Sequence, residues 1–145
     1  MAVERMDNVA IVVDDLPAAI AFFTELGLTN QGAAEIQGKW ADQTVGLTGI
    51  RSEIVMLHTP DGHGKVELTK YHAPQAVAGD ASPAPNTLGL HRIMFAVDDI
   101  DDTVARLASH GAELLGQVAN YEGVYRLCYL RGPAGIIVAL AQRTG

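Results

Sequence analysis

The sequence has little that would tie it to a membrane or an oxidising compartment. Among its 145 residues is one cysteine, Cys128, so no disulfide can form within the chain and a reducing compartment is favoured. No apolar run approaches the roughly 18 residues that a membrane helix needs. The N-terminal residues MAVERMD lack the basic start and apolar core of a signal peptide. We therefore expect a cytoplasmic protein with no membrane partner.

Basic residues are also scarce. Ten Lys and Arg against 17 Asp and Glu give a net charge of −7, and this argues against nucleic-acid binding, which depends on a basic surface. A hydrophobic fraction of 48% excludes disorder, and the length suits one compact domain. The expected partners are a small molecule and a second copy of the chain.

Recognisable catalytic and metal-binding motifs are missing as well. The histidines never occur as HxH, HxxxH or HExxH, so no independent metal motif exists. There is no GxSxG nucleophile and no glycine loop that would cradle a phosphate. Cys128 has no histidine near it in sequence, and we interpret it as a packed thiol.

What the sequence does have is an internal repeat. NVAIVVDDLPAAIAFFTELGL, from residue 8, returns as RIMFAVDDIDDTVARLASHGA from residue 92. Identical residues stand at corresponding places, namely Val13 and Val97, Asp14 and Asp98, Asp15 and Asp99, Ala21 and Ala105, and Gly27 and Gly111. Each copy runs an apolar strand into aspartates that can cap a helix. Each helix carries apolar residues at i, i+4 and i+7 (Leu16, Ile20, Phe23 and Ile100, Val104, Leu107) and stops near a glycine.

The rest of each half predicts three more strands. In the first half these are residues 28–40, with a bend, then 50–58 and 65–71, with 41–49 as a loop or short helical turn. In the second half, strand 90–97 and helix 100–110 precede strands 112–120, 124–130 and 136–141. We expect an α+β fold of two β-α-β-β-β modules, residues 5–72 and 89–143, joined by a proline-rich linker at 73–88. The sheets should be mostly antiparallel, with helices on one face and the other face curling around a cavity.

This pattern resembles the vicinal oxygen chelate superfamily, which includes glyoxalase I, extradiol dioxygenases and bleomycin-resistance proteins. Family enzymes hold one metal ion with ligands from the first and last strand of each module. The corresponding positions here are Asn8, Glu67, Arg92 and Ala139, of which only Glu67 keeps the family residue type. His91 stands one residue away from a ligand position, and the two-residue period of a strand sends it to the opposite face. The resemblance therefore implies a degenerate site with no metal and no cofactor.

Arg92 suggests what replaces the metal. A guanidinium has five donors and no lone pair for a metal, but it can hold a carboxylate, phosphate or enolate oxygen through two contacts. Glu67 could pair with it as a buried partner, or act as a general base while Arg92 stabilises an oxyanion. A merely structural pair remains an equal alternative. Further ligand-binding positions are predicted at Asn8, Met56, Thr69, Tyr71, Tyr125 and Ala139, with Trp40, Tyr121 and Tyr129 as other possible aromatic walls.

Three functions stay open on this evidence. The first is a binding protein that sequesters a small, anionic organic ligand, and the second is a metal-independent lyase or isomerase. The third, a metal-dependent lyase, isomerase or dioxygenase, needs ligands that the sequence does not supply. Two marginal modules with sheet edges to cover also suggest a homodimer.

Overall fold

The computed structural model describes residues 2–145 and contains the two predicted modules. The elements in chain order are β1 (Val9–Val12), α1 (Leu16–Leu26), β2 (Thr29–Gln37), α2 (Lys39–Val45), β3 (Arg51–His58), β4 (Lys65–Ala73), β5 (Arg92–Ala96), α3 (Ile100–Ala108), β6 (Glu113–Leu114), β7 (Ala119–Tyr121), β8 (Tyr125–Arg131), a 3-10 turn (Pro133–Gly135) and β9 (Ile137–Arg143).

Each module builds its own mixed sheet. The chain divides into two compact units, one ending at Ala78 and the other spanning Gly79–Gly145. The first sheet has the order β1-β4-β3-β2, and the second has the order β5-β9-β8-β6 with β7 also paired to β8. In both, the first strand of the module is parallel to its last strand, and the remaining pairs are antiparallel. The predicted α+β class is confirmed, and the β-α-β-β-β order holds with two additions, the helix α2 in the first module and one further strand in the second.

The aspartates cap the helices as expected. Asp15 accepts a hydrogen bond from the Ala18 amide, and Asp99 accepts one from the Asp102 amide, both at 3.0 Å. These bonds satisfy amide groups that the first turn of a helix leaves free. Gly27 closes α1 at φ +122°, a conformation that other residues rarely adopt.

Both helices bury a stripe of side chains, with small departures from the predicted one. Leu16 and Phe23 are buried, but Ile20 is half-buried, and Ala19 and Phe22 complete the stripe of α1. Helix α3 buries Ile100, Thr103 and Leu107 and ends at Ala108, two residues before the predicted end.

Several predicted strand boundaries are wrong. The strand expected over 112–120 is two short strands, β6 and β7, which pair with different parts of β8. Strand β4 continues through Ala73, past the predicted end at residue 71. The segment 41–49, predicted as a loop or short helical turn, contains most of helix α2, and its Asp42 carboxylate accepts hydrogen bonds from the amides of Gly49 and Ile50. The predicted bend in β2 is confirmed as a register shift between Asn30 and Gly32.

The alternation along β4 positions the candidate site. Val66 and Leu68 are 3% and 0% exposed, as expected for side chains packed beneath the helix layer, and Glu67 between them points to the other face. None of the helices formed by residues 2–145 is both long and apolar enough to span a membrane.

Candidate functional site

In the first unit, the sheet face opposite the helix carries a carboxylate among small and apolar side chains. Glu67 of β4 is half-buried and lies directly between Ala10 of β1 and Met56 of β3 in the strand register. Residues directly opposite in a sheet point to the same side. Further along β1 on that face, Val12 is 48% exposed. The face therefore offers apolar contact surface around one anionic group.

Thr69 fixes the orientation of this carboxylate. Its hydroxyl donates a 3.3 Å hydrogen bond to Oε2 of Glu67, and Thr69 itself is only 7% exposed. Tyr71 continues the same phase of β4 and is half-buried, and Asn8 lies one residue before β1, also half-buried. The fold thus brings Met56, Glu67 and Thr69 together, with Asn8 and Tyr71 towards the ends of the same face.

In the second unit, Arg92 stacks on an aromatic ring. Arg92 opens β5, and its Cζ lies 5.1 Å from the centre of the Tyr129 ring on β8. Strand β9 runs between them, and its residue opposite Tyr129 is Ala139. The residue of β9 opposite Arg92 is Ile137, so the contact joins neighbouring rows of the sheet. The arrangement is a cation–π contact, which keeps the arginine head in place without neutralising its charge.

The burial of these residues departs from the sequence-based expectation. Both charges were expected to be buried, but Arg92 is exposed and Glu67 is half-buried. Among the described residues of the second unit, no carboxylate forms an ion pair with Arg92. Ala139 is fully buried, so it cannot offer surface to a ligand and contributes only through its small volume.

The tyrosine beside Arg92 is not the one in the predicted ligand set. Tyr125 begins β8, is 37% exposed, and lies opposite Arg143, away from Arg92. Tyr129 has the same strand phase, four residues further on, and makes the contact. The sequence indicates that both tyrosine rings lie on one face of the sheet, because the strand has a two-residue period. Which of the two contacts Arg92 depends on the register of β8 on β9. Trp40 lies on α2 and is 58% exposed.

Tyr129 also borders an open groove in the second unit. The groove has a volume of about 440 Å³, within the range of small-molecule sites. Its lining residues are Pro85, Leu115, Gly116, Gln117, Leu127, Cys128 and Tyr129. Most are apolar, and one of them, Tyr129, carries the Arg92 guanidinium on its ring.

The cysteine and the nearest ion pair have structural roles. Cys128 is 4% exposed, and burial raises the pKa of its thiol, which agrees with a packed side chain. Arg126 donates to both oxygens of Asp101 at 2.7 and 3.0 Å, joining β8 to α3. The hydrogen bond from Arg126 lowers the pKa of the Asp101 carboxyl.

The histidines do not gather into a site. His91 lies just before β5, and its Nδ1 is buried without a hydrogen-bond partner among the described residues. His58 contacts the carbonyl of Thr59 at 2.9 Å, and His72 contacts Glu53 at 3.2 Å. Within residues 2–145, no group of three or more His, Cys, Asp or Glu side chains is arranged to hold a metal ion.

The residues at the family's four ligand positions also fit a metal poorly. Asn8 and Glu67 each carry an oxygen that a metal could accept. The Arg92 guanidinium has no lone pair and would repel a cation, and the Ala139 methyl group has no donor atom. Two donors from one module are fewer than the three or four protein ligands of typical catalytic sites.

Comparison with known proteins agrees with this fold. A search of functionally curated proteins gave no match. A crystal structure of a glyoxalase family protein from Bacillus cereus is 48% identical, with a TM-score of 0.96, covering 100% of this chain and 97% of that one.

More distant structures share the fold. A glyoxylase/bleomycin resistance protein/dioxygenase domain from Frankia sp. is 16% identical, with a TM-score of 0.66 and coverage of 98% and 99%. A fosfomycin resistance protein from Listeria monocytogenes, complexed with Mn(II) and dihydroxypropylphosphonic acid, is 12% identical, with a TM-score of 0.63 and coverage of 99% and 92%. The family model of the Glyoxalase/Bleomycin resistance protein/Dioxygenase superfamily matches residues 5–140, and the chain belongs to this superfamily.

Proposed function

We propose that this chain binds a small organic anion with an apolar body and does so without a metal ion. The observation that carries the proposal is the exposed Arg92 guanidinium, which stacks on the ring of Tyr129, a lining residue of the apolar groove. An anionic group on the ligand would replace water around the guanidinium through charge-assisted hydrogen bonds. The apolar body would lie in the groove and be removed from water.

Stacking on Tyr129 supports this role. A free arginine side chain loses rotamer freedom when it binds a ligand, and a ring that already holds the guanidinium reduces that cost. The contact leaves the edge of the guanidinium, with its donors, available to an incoming oxygen. Binding and sequestration need nothing further, and so this is the function we place first.

The test uses two probes that share their aromatic rings and differ by one sulfonate group. Anilinonaphthalene sulfonate combines aromatic rings with a sulfonate, and N-phenylnaphthylamine has the rings without the anion. We expect the sulfonate to bind about tenfold more tightly or better, because a charge-assisted contact contributes about 1.5–3 kcal/mol. Equal affinities, or no binding of the sulfonate, would contradict the proposal.

A second candidate is a metal-independent lyase or isomerase. It is favoured by the Thr69 hydrogen bond, which orients the Glu67 carboxylate and leaves its other oxygen available as a base. Arg92 stays the predicted oxyanion stabiliser for such a reaction. Native mass spectrometry of protein purified from its own host should identify a retained molecule. Deuterium uptake into carbon–hydrogen bonds of that molecule, lost in Glu67→Gln, would favour an enzyme over a binding protein.

A further inference from the structure

A short segment ahead of β5 packs onto the second sheet and reaches the groove. We call residues 80–85 the strap. The Asp80 carboxylate accepts a hydrogen bond from the Ser82 amide at 2.9 Å, and the Thr87 amide donates to the carbonyl of Ala84 at 3.0 Å. The strap therefore has a defined turn structure of its own, and its last residue, Pro85, is one of the groove's lining residues.

One arginine joins the strap to the sheet. Arg131, the last residue of β8, is half-buried, and one of its terminal nitrogens donates to two carbonyls. The carbonyl of Pro83 accepts at 2.8 Å, and that of Gly135 accepts at 2.9 Å. The first carbonyl belongs to the strap and the second to the turn before β9. Arg131 thus connects two segments that are far apart in sequence and makes charge-assisted bonds to both.

A glycine allows the close approach. Gly135 has φ +77°, and a Cβ built on it would overlap the backbone carbonyl of Ala81. The strap therefore rests directly on the backbone of the turn, at a distance that no other residue type at position 135 permits. Arg131 therefore holds the strap by a hydrogen bond, and Gly135 permits its close approach.

From these contacts we propose that Arg131 and Gly135 hold the strap as a fixed wall of the groove, and that the wall limits the size of the ligand's apolar body. This inference rests on the proposed function, because it assigns selectivity to the same groove. Arg131 acts as a positioning residue, since its terminal nitrogen is already engaged by the two carbonyls. The wall is rigid because its anchors are backbone contacts and charge-assisted hydrogen bonds rather than exposed side-chain packing.

Two variants release the strap by different routes. Arg131→Met removes both hydrogen bonds, and Gly135→Ala pushes the Ala81 carbonyl away. The chain offers a matched control substitution for each of these variants. Arg143→Met removes an arginine that donates to the carbonyl of Gly145 instead. Gly111 has a similar positive φ of +86°, and nothing lies within 4 Å of a Cβ built on it. Gly111→Ala therefore introduces the backbone strain without the collision.

The first measurement is amide hydrogen exchange over residues 80–87, which needs no ligand. We expect both strap variants to exchange about tenfold faster there, because opening no longer breaks the anchors. The two controls should leave these amides unchanged. Unchanged exchange in folded Arg131→Met and Gly135→Ala would show that the anchors do not hold the strap, and the proposal would be wrong.

The second measurement compares the affinities of anilinonaphthalene sulfonate and the smaller benzenesulfonate. With the strap released, the ratio of affinities should shift towards the larger probe by about tenfold relative to the wild type, whereas the controls keep the wild-type ratio. If the wild type binds both probes and the ratio is unchanged in the strap variants, the selectivity role fails while the proposed function stands. If the wild type binds neither, the proposed function fails, and the assigned selectivity fails with it.

Discussion

Replacing Arg92 separates its contribution to folding from its contribution to binding. The side chain is exposed, and its contact is the cation–π interaction with Tyr129 at 5.1 Å. Such a contact at an exposed site contributes about 0.5–1 kcal/mol. We therefore expect Arg92→Met to lower the free energy of unfolding by about 1 kcal/mol at most. The cost of about 3–5 kcal/mol for breaking a buried ion pair, which burial of both charges would imply, does not apply.

Binding should respond more strongly than stability. Arg92→Met loses a charge-assisted contact worth about 1.5–3 kcal/mol. We therefore expect it to raise the dissociation constant for anilinonaphthalene sulfonate by about 10- to 150-fold. Arg92→Lys keeps the charge but lacks the planar fork and stacks less well, so it should fall between the wild type and Arg92→Met. Urea unfolding gives the stability, and fluorescence titration gives the affinity.

The controls decide whether the effect is specific. Arg143→Met removes the same charge from an exposed position at the end of β9, and should change the probe's affinity by less than about twofold, since exposed charges are screened. Equal losses of probe affinity in Arg92→Met and Arg143→Met would mean that the net charge of the protein, and not the site, attracts the probe. Combining Arg92→Met with Glu67→Gln tests the proposed partnership, because additive effects on unfolding and binding within about 0.5 kcal/mol would show that the two residues act independently.

The remaining predictions concern metal content, assembly and pH. Elemental analysis of freshly purified protein should find no stoichiometric zinc, nickel, manganese, iron or cobalt, and one dialysis-resistant metal per chain would refute the metal-free proposal. Sedimentation equilibrium at micromolar concentration should give twice the chain mass of 15.4 kDa, whereas a clean monomer would refute the homodimer. The pKa of Asp101 is lowered by Arg126, so its stabilising effect is present above the ordinary value of 3.8 and is lost as the pH falls through the lower folded-state value. The destabilisation caused by Arg126→Met in urea unfolding should therefore shrink from neutral pH to below pH 3.8, and a difference that grows on acidification would contradict this.

The repeat could be predicted from sequence because its signals are local. An aspartate before an apolar helix and a glycine after it act within a single turn, and Asp15, Asp99 and Gly27 perform those roles. Alternation along β4 likewise determined which face holds Glu67, since the two-residue period needs no knowledge of the partner strand. These features follow from the chain's own backbone geometry.

The missed features depend on partners distant in sequence. The segment at 112–120 has enough apolar residues for one strand, but β8 pairs with two separate stretches of it and leaves Gly116 between them. The linker at 73–88 contains nothing that identifies a groove wall, because the anchors of the strap, Arg131 and Gly135, lie about 50 residues later. Neither position has a periodic pattern that would indicate this role.

The contact between Arg92 and Tyr129 combines both kinds of information. The parity of β5 predicts the side of the sheet on which Arg92 lies, but the ring that receives it depends on the strand between them. On β9, Ala139 lies opposite Tyr129 and Ile137 lies opposite Arg92, so the ring and the guanidinium come from neighbouring rows of the sheet. The same alanine occupies a position where the family resemblance implies a metal-binding carboxylate. The alanine at this position supplies no ligand atom for a metal, and it lies opposite the ring that Arg92 contacts.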